Sequence, residues 1–213
     1  MDEYARFASL YDPVVGPFLR PVHSAMQSLL VENGCTSVVD LCCGTGQFCG
    51  MVWEVGLSAT GVDNSPAMLA VATKKWSGAS FSRNDATRTD LTAKAFDAVT
   101  ISFALHEKSA MQAEAILKEA ERLVRPGGTV LVSDYRLPSP FQARLTRMGI
   151  GLVEWLAGAA HYAHFRHFMA QGGIESFLKQ YGLPVSPVAL FMGGWAGLYI
   201  HRSAEAWNGR RSR

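Results

Sequence analysis

The sequence predicts an α/β protein built on a doubly wound parallel sheet, and three observations carry that prediction. Apolar strand-like runs alternate with helical patterns from residue 35 to residue 135, the order that yields parallel strands joined by crossover helices. One run, Ser37–Leu41, leads straight into Cys42-Cys43-Gly44-Thr45-Gly46, a glycine turn that opens a helix. The next strand ends in an acid, Asp63, roughly 20 residues past the turn, where such folds hold a ribose diol.

Each element has a local reason. Residues 3–12 have a helical pattern that the Asp12-Pro13 step should end, because the residue before proline is biased away from the helix. A second helix is expected over residues 17–32, with Val22, Met26, Leu29 and Leu30 as its apolar stripe and Asn33-Gly34 as its C-cap. The first strand, Ser37–Leu41, is followed by a helix over Gln47–Glu54 and a second strand over Ser58–Asp63. Ser65 should cap the next helix, with Pro66 at its first position. Strand three is expected over residues 79–83, strand four over 97–103, a helix over 109–124, a turn at 125–128 and strand five over 129–133. Beyond that, residues 141–160 pattern as one or two apolar helices, and Gln171-Gly172-Gly173 breaks the pattern. A short helix is expected over 174–181. Strands over 185–192 and 195–201 then pair as a hairpin at Gly193-Gly194. One domain is expected, with a helical cap (1–34), a cofactor-binding core (35–135), a helical lid (136–182) and a terminal hairpin (183–202).

Composition narrows the classes. Of 213 residues, 48% are hydrophobic and 18% charged, which suits a packed core rather than disorder. A net charge of +2 gives no support for nucleic-acid binding. Cys35, Cys42, Cys43 and Cys49 all fall in the first strand–helix unit, unlike a disulfide framework, and point to a reducing, cytoplasmic setting. No metal site is expected, because no CxxC, CxxH or HExxH spacing occurs. The acidic start lacks a signal core, and Glu154, glycines and histidines interrupt the longest apolar stretch, so no spanning helix is expected. Transient contact with a membrane surface stays compatible with that reading.

The constellations point to one ligand class. Asp40 stands just before the glycine turn, where a phosphate would be repelled and an ammonium welcomed; S-adenosylmethionine, with its amino group and sulfonium, fits. A dinucleotide fingerprint needs a third glycine, and the chain has Gly44-x-Gly46-x-x-Cys49. Asn84, Asp85 and Ala86 follow strand three, at the edge where ligands bind, and suit an adenine. Ser102 and Phe103 end strand four. His106 follows, as a group that orients an acceptor or takes its proton, or else as a helix-capping or surface histidine. His161, Tyr162, His164 and His167 pattern as an amphipathic helix over the site, with an acceptor role as the alternative.

These residues carry a family resemblance. Val38-Val39-Asp40-Leu41-Cys42-Cys43-Gly44-Thr45-Gly46, Gly61-Val62-Asp63-Asn64-Ser65-Pro66-Ala67-Met68, Asn84-Asp85-Ala86 and residues 96–107 and 125–134 together resemble the class I S-adenosylmethionine-dependent methyltransferases. A narrower resemblance, through Tyr11-Asp12 and the Asp-Leu-x-x-Gly-Thr-Gly loop, is to the ubiquinone/menaquinone-biosynthesis C-methyltransferases and their small-molecule relatives. The resemblance implies a seven-stranded sheet of order 3-2-1-4-5-7-6 with strand seven antiparallel. It implies S-adenosylmethionine as cofactor, with Tyr11 as a gate. Asp40, Cys42, Gly44, Thr45 and Gly46 would lie at the methionine end, and Asp63, Asn64 and Met68 at the ribose and adenosine. Asn84, Asp85 and Ala86 would lie near the adenine, and Ser102 and Phe103 near the sulfonium. His106, His161 and Tyr162 would be the catalytic candidates, and the partner a small, apolar or aromatic acceptor. A non-catalytic S-adenosylmethionine sensor and an NAD-type oxidoreductase are the rival readings.

Overall fold

The computed structural model describes residues 8–138 and 159–203. The expected sheet forms around the first strand. β1 (Ser37–Leu41) pairs in parallel with β2 (Ser58–Asp63) on one side and β4 (Phe96–Ser102) on the other. β3 (Ser80–Arg83) extends the β2 side, and β5 (Val124–Tyr135) extends the β4 side, both in parallel. β7 (Ala196–Arg202) then pairs antiparallel with β5, and β6 (Ala189–Phe191) closes the edge, so the order is 3-2-1-4-5-7-6.

Helices cover both faces. α1 (Ala8–Val14) and α2 (Gly16–Glu32) precede the sheet; α3 (Gln47–Glu54), α4 (Pro66–Lys75) and α5 (Ala110–Leu123) make the crossovers. α6 (Ala159–Ala170) and α7 (Gly173–Gln180) lie between β5 and β6. The period-two alternation of β1 divides the core: Val38 faces a cluster with Met26, Phe48 and Leu131, while Val39 and Leu41 face one with Leu117, Leu123 and Ile174. Asp40 shares the face of Val38, which puts a carboxylate on a core-facing position.

Several local expectations hold. Ser65 accepts the Met68 N–H at 3.1 Å with Pro66 opening α4, and Asn33 caps α2. Four differ. The helix does not stop at Asp12: α1 runs through Pro13 to Val14, and the Val15 N–H bonds the Tyr11 carbonyl at 2.7 Å. Proline removes only its own N–H, and the following turn still closes. Residues 125–128 are an irregularity within β5 rather than a separate turn, where the register with β4 shifts. Gly127 takes φ +73° there, and Ser203 stitches the loop through bonds to Gly127 and Gly128. β6 is shorter than the expected 185–192, because Pro187 has no N–H to give a ladder. The 3₁₀ turn Met192–Gly194 joins it to β7. The apolar helices expected over 141–160 fall almost wholly outside the described residues.

Candidate functional site

The C-terminal edges of β1, β2 and β4 open into one cavity of about 560 Å³. Register builds its floor. Asp40 sits opposite Thr100 across the β1–β4 ladder, so the Thr100 hydroxyl donates to Asp40 Oδ1 at 2.6 Å. The Cys49 thiol faces the other carboxylate oxygen at 3.9 Å. Burial outweighs the Thr100 bond and pushes the Asp40 carboxyl up to about 7. An ammonium group brought beside it would restore the charge.

The glycine turn needs its glycines. Gly46 has φ +69°, and a Cβ there would lie 2.6 Å from the Phe81 ring; Gly44 has φ +54°, with open space where a Cβ would go. Cys42 also takes a positive φ, 62°. Asp63 ties the turn to β2: its carboxylate accepts the Gly44 N–H and the Ser65 N–H, each at 2.8 Å. Burial raises the Asp63 carboxyl, and those two donors pull it back. Each oxygen keeps a lone-pair site for a ligand hydroxyl. Thr45 is buried and donates to Asp12, which also pairs with Lys75, so α1 is moored over the turn with Tyr11 on the cavity wall.

Most of the sequence-selected residues meet here. Tyr11, Asp40, Cys42, Gly44, Thr45, Asp63, Asn64, Met68, Asp85, Ala86, Ser102 and Phe103 all line the cavity. Gly46 shapes the turn from behind. Asn84 is turned away: its amide nitrogen donates to Ser82 Oγ at 2.7 Å and Asp90 Oδ1 at 2.8 Å. Asp85 spends one carboxylate oxygen on the backbone and hydroxyl of Thr87.

The three residues selected for catalysis lie elsewhere. None of His106, His161 and Tyr162 is on the described wall. His106 is 3% exposed and packs among Tyr135, His161 and Phe165, with ring centroids 4.8, 5.6 and 6.0 Å away. Its Nδ1 lies 2.7 Å from Asp134 Oδ1, and the other Asp134 oxygen accepts the backbone N–H groups of Leu105 and His106. Tyr162 stacks on Phe165 and lies against Arg166.

Among the polar residues on the wall that sequence reasoning did not select are Glu107, Lys108, His23 and Gln47. Glu107 and Lys108 pair at 2.6 Å. Burial alone would raise the Glu107 carboxyl; the hydrogen bond from His161 and the charge of Lys108 hold it down at about 2. Burial opposes the charge on Lys108, but Glu107 outweighs it and raises the ammonium. His23 is 5% exposed, lies 3.3 Å from Ser102 Oγ through Nε2 and tilts against Phe48. Burial lowers it to about 4, so it is neutral at pH 7. Gln47, first in α3, stands beside it on the wall. The available signal was a polar pair of positions next to buried ones: His23 adjoins Val22 on the apolar face of α2, and Gln47 follows the turn directly.

Comparison with known proteins agrees with this geometry. Residues 38–128 match the family described as Methyltransferase domain. A demethylmenaquinone methyltransferase of Bacillus licheniformis is 32% identical over 202 residues, 82% of either chain. One of Beutenbergia cavernae is 37% identical over 108 residues, 50% of this chain but only 44% of that protein's length. An O-methyltransferase family protein from Burkholderia thailandensis shares the fold, with a TM-score of 0.69 and 19% identity over 93% of this chain and 60% of that one. No described helix is long and apolar enough to cross a membrane. The chain belongs to the class I S-adenosylmethionine-dependent methyltransferase family and within it resembles the quinone-biosynthesis enzymes.

Proposed function

We propose that this chain transfers a methyl group from S-adenosylmethionine to a small, apolar or aromatic acceptor by in-line displacement. The observation that carries the reading is a pair of carboxylates, buried Asp40 and half-buried Asp63, on either side of a glycine turn in one cavity. A dinucleotide would use Asp63 for its ribose as well, but its pyrophosphate would meet the Asp40 carboxylate where it needs donors. A ligand with an ammonium and a ribose diol, but no phosphate, meets acceptors at both.

The residues supply binding and orientation. Asp40 takes the ammonium, and the Gly44 side of the turn approaches the amino-acid end. Asp63 accepts from the ribose hydroxyls while Gly44 and Ser65 hold it in place. Met68 and Ala86, both buried, sandwich the apolar part of the adenosine, and Phe103 closes the wall at the β4 edge. The sulfonium is already an activated leaving group, so the chain's task is alignment and exclusion of water. The names of the demethylmenaquinone relatives support an aromatic, quinone-like acceptor.

The test is transfer of labelled methyl from S-adenosylmethionine to a panel of phenols, naphthoquinols and amines, with Asp63→Ala alongside. Turnover on aromatic acceptors that Asp63→Ala abolishes is the expected result. Tight cofactor binding with no transfer to any acceptor would favour a sensor instead.

A further inference from the structure

We propose that His106, Glu107 and His161 form a transition-metal site of the two-histidine, one-carboxylate kind, adjoining the cofactor cavity through Glu107. One ligand atom from each of the three residues lies within 4.8 Å of the other two. A small ion would need to draw them inward only modestly, since ligands about 2.0–2.2 Å from zinc stand little more than 3 Å apart. His106 and Glu107 come from the 3₁₀ turn Leu105–Glu107 after β4, and His161 comes from the first turns of α6. No local sequence motif announces the site, because its third ligand arrives through packing of α6 on that turn.

The surroundings suit a ligand set. The Asp134 carboxylate, 0% exposed, holds His106 Nδ1 at 2.7 Å, which leaves Nε2 to carry the lone pair. That is the carboxylate–imidazole arrangement by which proteins aim a metal-binding histidine and raise its basicity. Asp134 also accepts the Leu105 and His106 N–H groups, so it fixes the turn that bears two of the three ligands. His164, one turn along α6, bonds the Glu107 carbonyl through Nδ1 at 2.9 Å and fastens the helix to that turn. Lys108 occupies Glu107 Oε1, while Oε2 faces His161 Nδ1 at 3.0 Å. An ion there replaces the proton shared by Oε2 and His161. Its charge beside Lys108 is the main opposing term.

The donor chemistry selects the metal. Two imidazoles and one carboxylate favour zinc, iron(II), cobalt(II) or nickel(II) over magnesium or calcium, which take oxygen ligands. Glu107 lies on the cavity wall, whereas the two histidines do not, so the cluster adjoins the cavity through its carboxylate. This inference concerns metal binding and does not depend on the methyl-transfer reading.

The test uses the untagged full chain, stripped with a chelator and dialysed, titrated with cobalt(II), zinc(II) and magnesium(II). Calorimetry and visible absorption are the readouts. One cobalt(II) per chain is expected, with the intense bands of a four- or five-coordinate ion, displaced by zinc(II), and no saturable heat with magnesium(II). Asp134→Asn should weaken binding about 10- to 100-fold, as loss of an outer-shell partner does, and His161→Gln by more than that. His167→Gln, which removes an α6 histidine outside the cluster, should leave it within about twofold. Copper(II) paramagnetic resonance of the unaltered chain should show two nitrogen ligands, a readout that does not depend on any variant folding. Absence of saturable binding, or binding that survives His161→Gln or is lost equally in His167→Gln, would overturn the proposal.

Discussion

Asp63 is held by the backbone N–H groups of Gly44 and Ser65, whereas Glu107 is held by the side chains of Lys108 and His161, the second from a helix far along the chain. The two carboxylates stand on the same cavity wall. The first belongs to a site whose shape the backbone itself dictates: turn, strand end and helix cap. The second belongs to a site assembled by side chains across the 3₁₀ turn and α6. The first site should therefore fail when backbone geometry changes and tolerate much else. The second should fail when individual side chains change.

The largest expected effect tests the backbone-built side. Gly46→Ala forces a side chain into φ +69° and against Phe81. Backbone strain alone should cost about 1–3 kcal/mol, and the displaced turn should weaken S-adenosylhomocysteine binding by about a hundredfold or more. Thermal melting and calorimetry together check this; an unchanged affinity would mean that the turn does not touch the ligand.

Asp134→Asn probes the other side. The amide cannot serve the two backbone N–H groups, the Tyr135 N–H and the His106 ring at once. Losing hydrogen bonds to a buried charge should cost about 1.5–3 kcal/mol in urea unfolding, with cofactor affinity little altered. A matched loss of both quantities would erase the distinction between the two sites.

Asp40 makes affinity depend on pH. Its carboxyl titrates near 7 in the free chain, and only the charged form suits an ammonium. Affinity for S-adenosylhomocysteine should hold above pH 7 and fall about tenfold per pH unit below it. Thr100→Val removes the bond that favours the charged form, so the fall should begin at higher pH. A flat profile between pH 5 and 8 would contradict the assignment.

The same carboxyl and His23 act on stability with opposite signs. Asp40 binds its proton more tightly folded than unfolded, so between about pH 4 and 7 its contribution weakens as pH rises. His23, lowered to about 4, binds its proton less tightly when folded. Its contribution is present above the unfolded value near 6.5 and is lost as pH falls toward 4. His23→Leu should therefore gain on the parent by about 2 kcal/mol between pH 7 and pH 5, read from paired melting curves. A constant difference would show that His23 does not titrate this way.

The smallest effect should come from Asn84→Ala. That side chain serves Ser82 and Asp90 rather than the cavity, so affinity should stay within about twofold while stability drops by about 1 kcal/mol.

The same contrast explains what could be read from the residues alone. The glycine turn, Asp63 at a strand end and the Ser65-Pro66 helix start are signals a few residues long, and each formed where expected. The seven-strand order followed from the family pattern. Asn84 was misplaced because an asparagine that serves its own loop has the same local sequence as one that serves a ligand. Proximity of His161 to Glu107 was illegible, since 54 positions separate them and only the packing of α6 joins them. His23 was hidden within an apolar helix face, where one polar residue reads as a neighbour of the stripe rather than part of a wall.

Calorimetric titration with S-adenosylhomocysteine at pH 8, beside NADH and with Asp63→Ala in parallel, tests the central claim most directly. The account predicts saturable one-to-one binding of S-adenosylhomocysteine, lost in Asp63→Ala, and no heat from NADH. Binding of NADH, or S-adenosylhomocysteine binding untouched by Asp63→Ala, would contradict it.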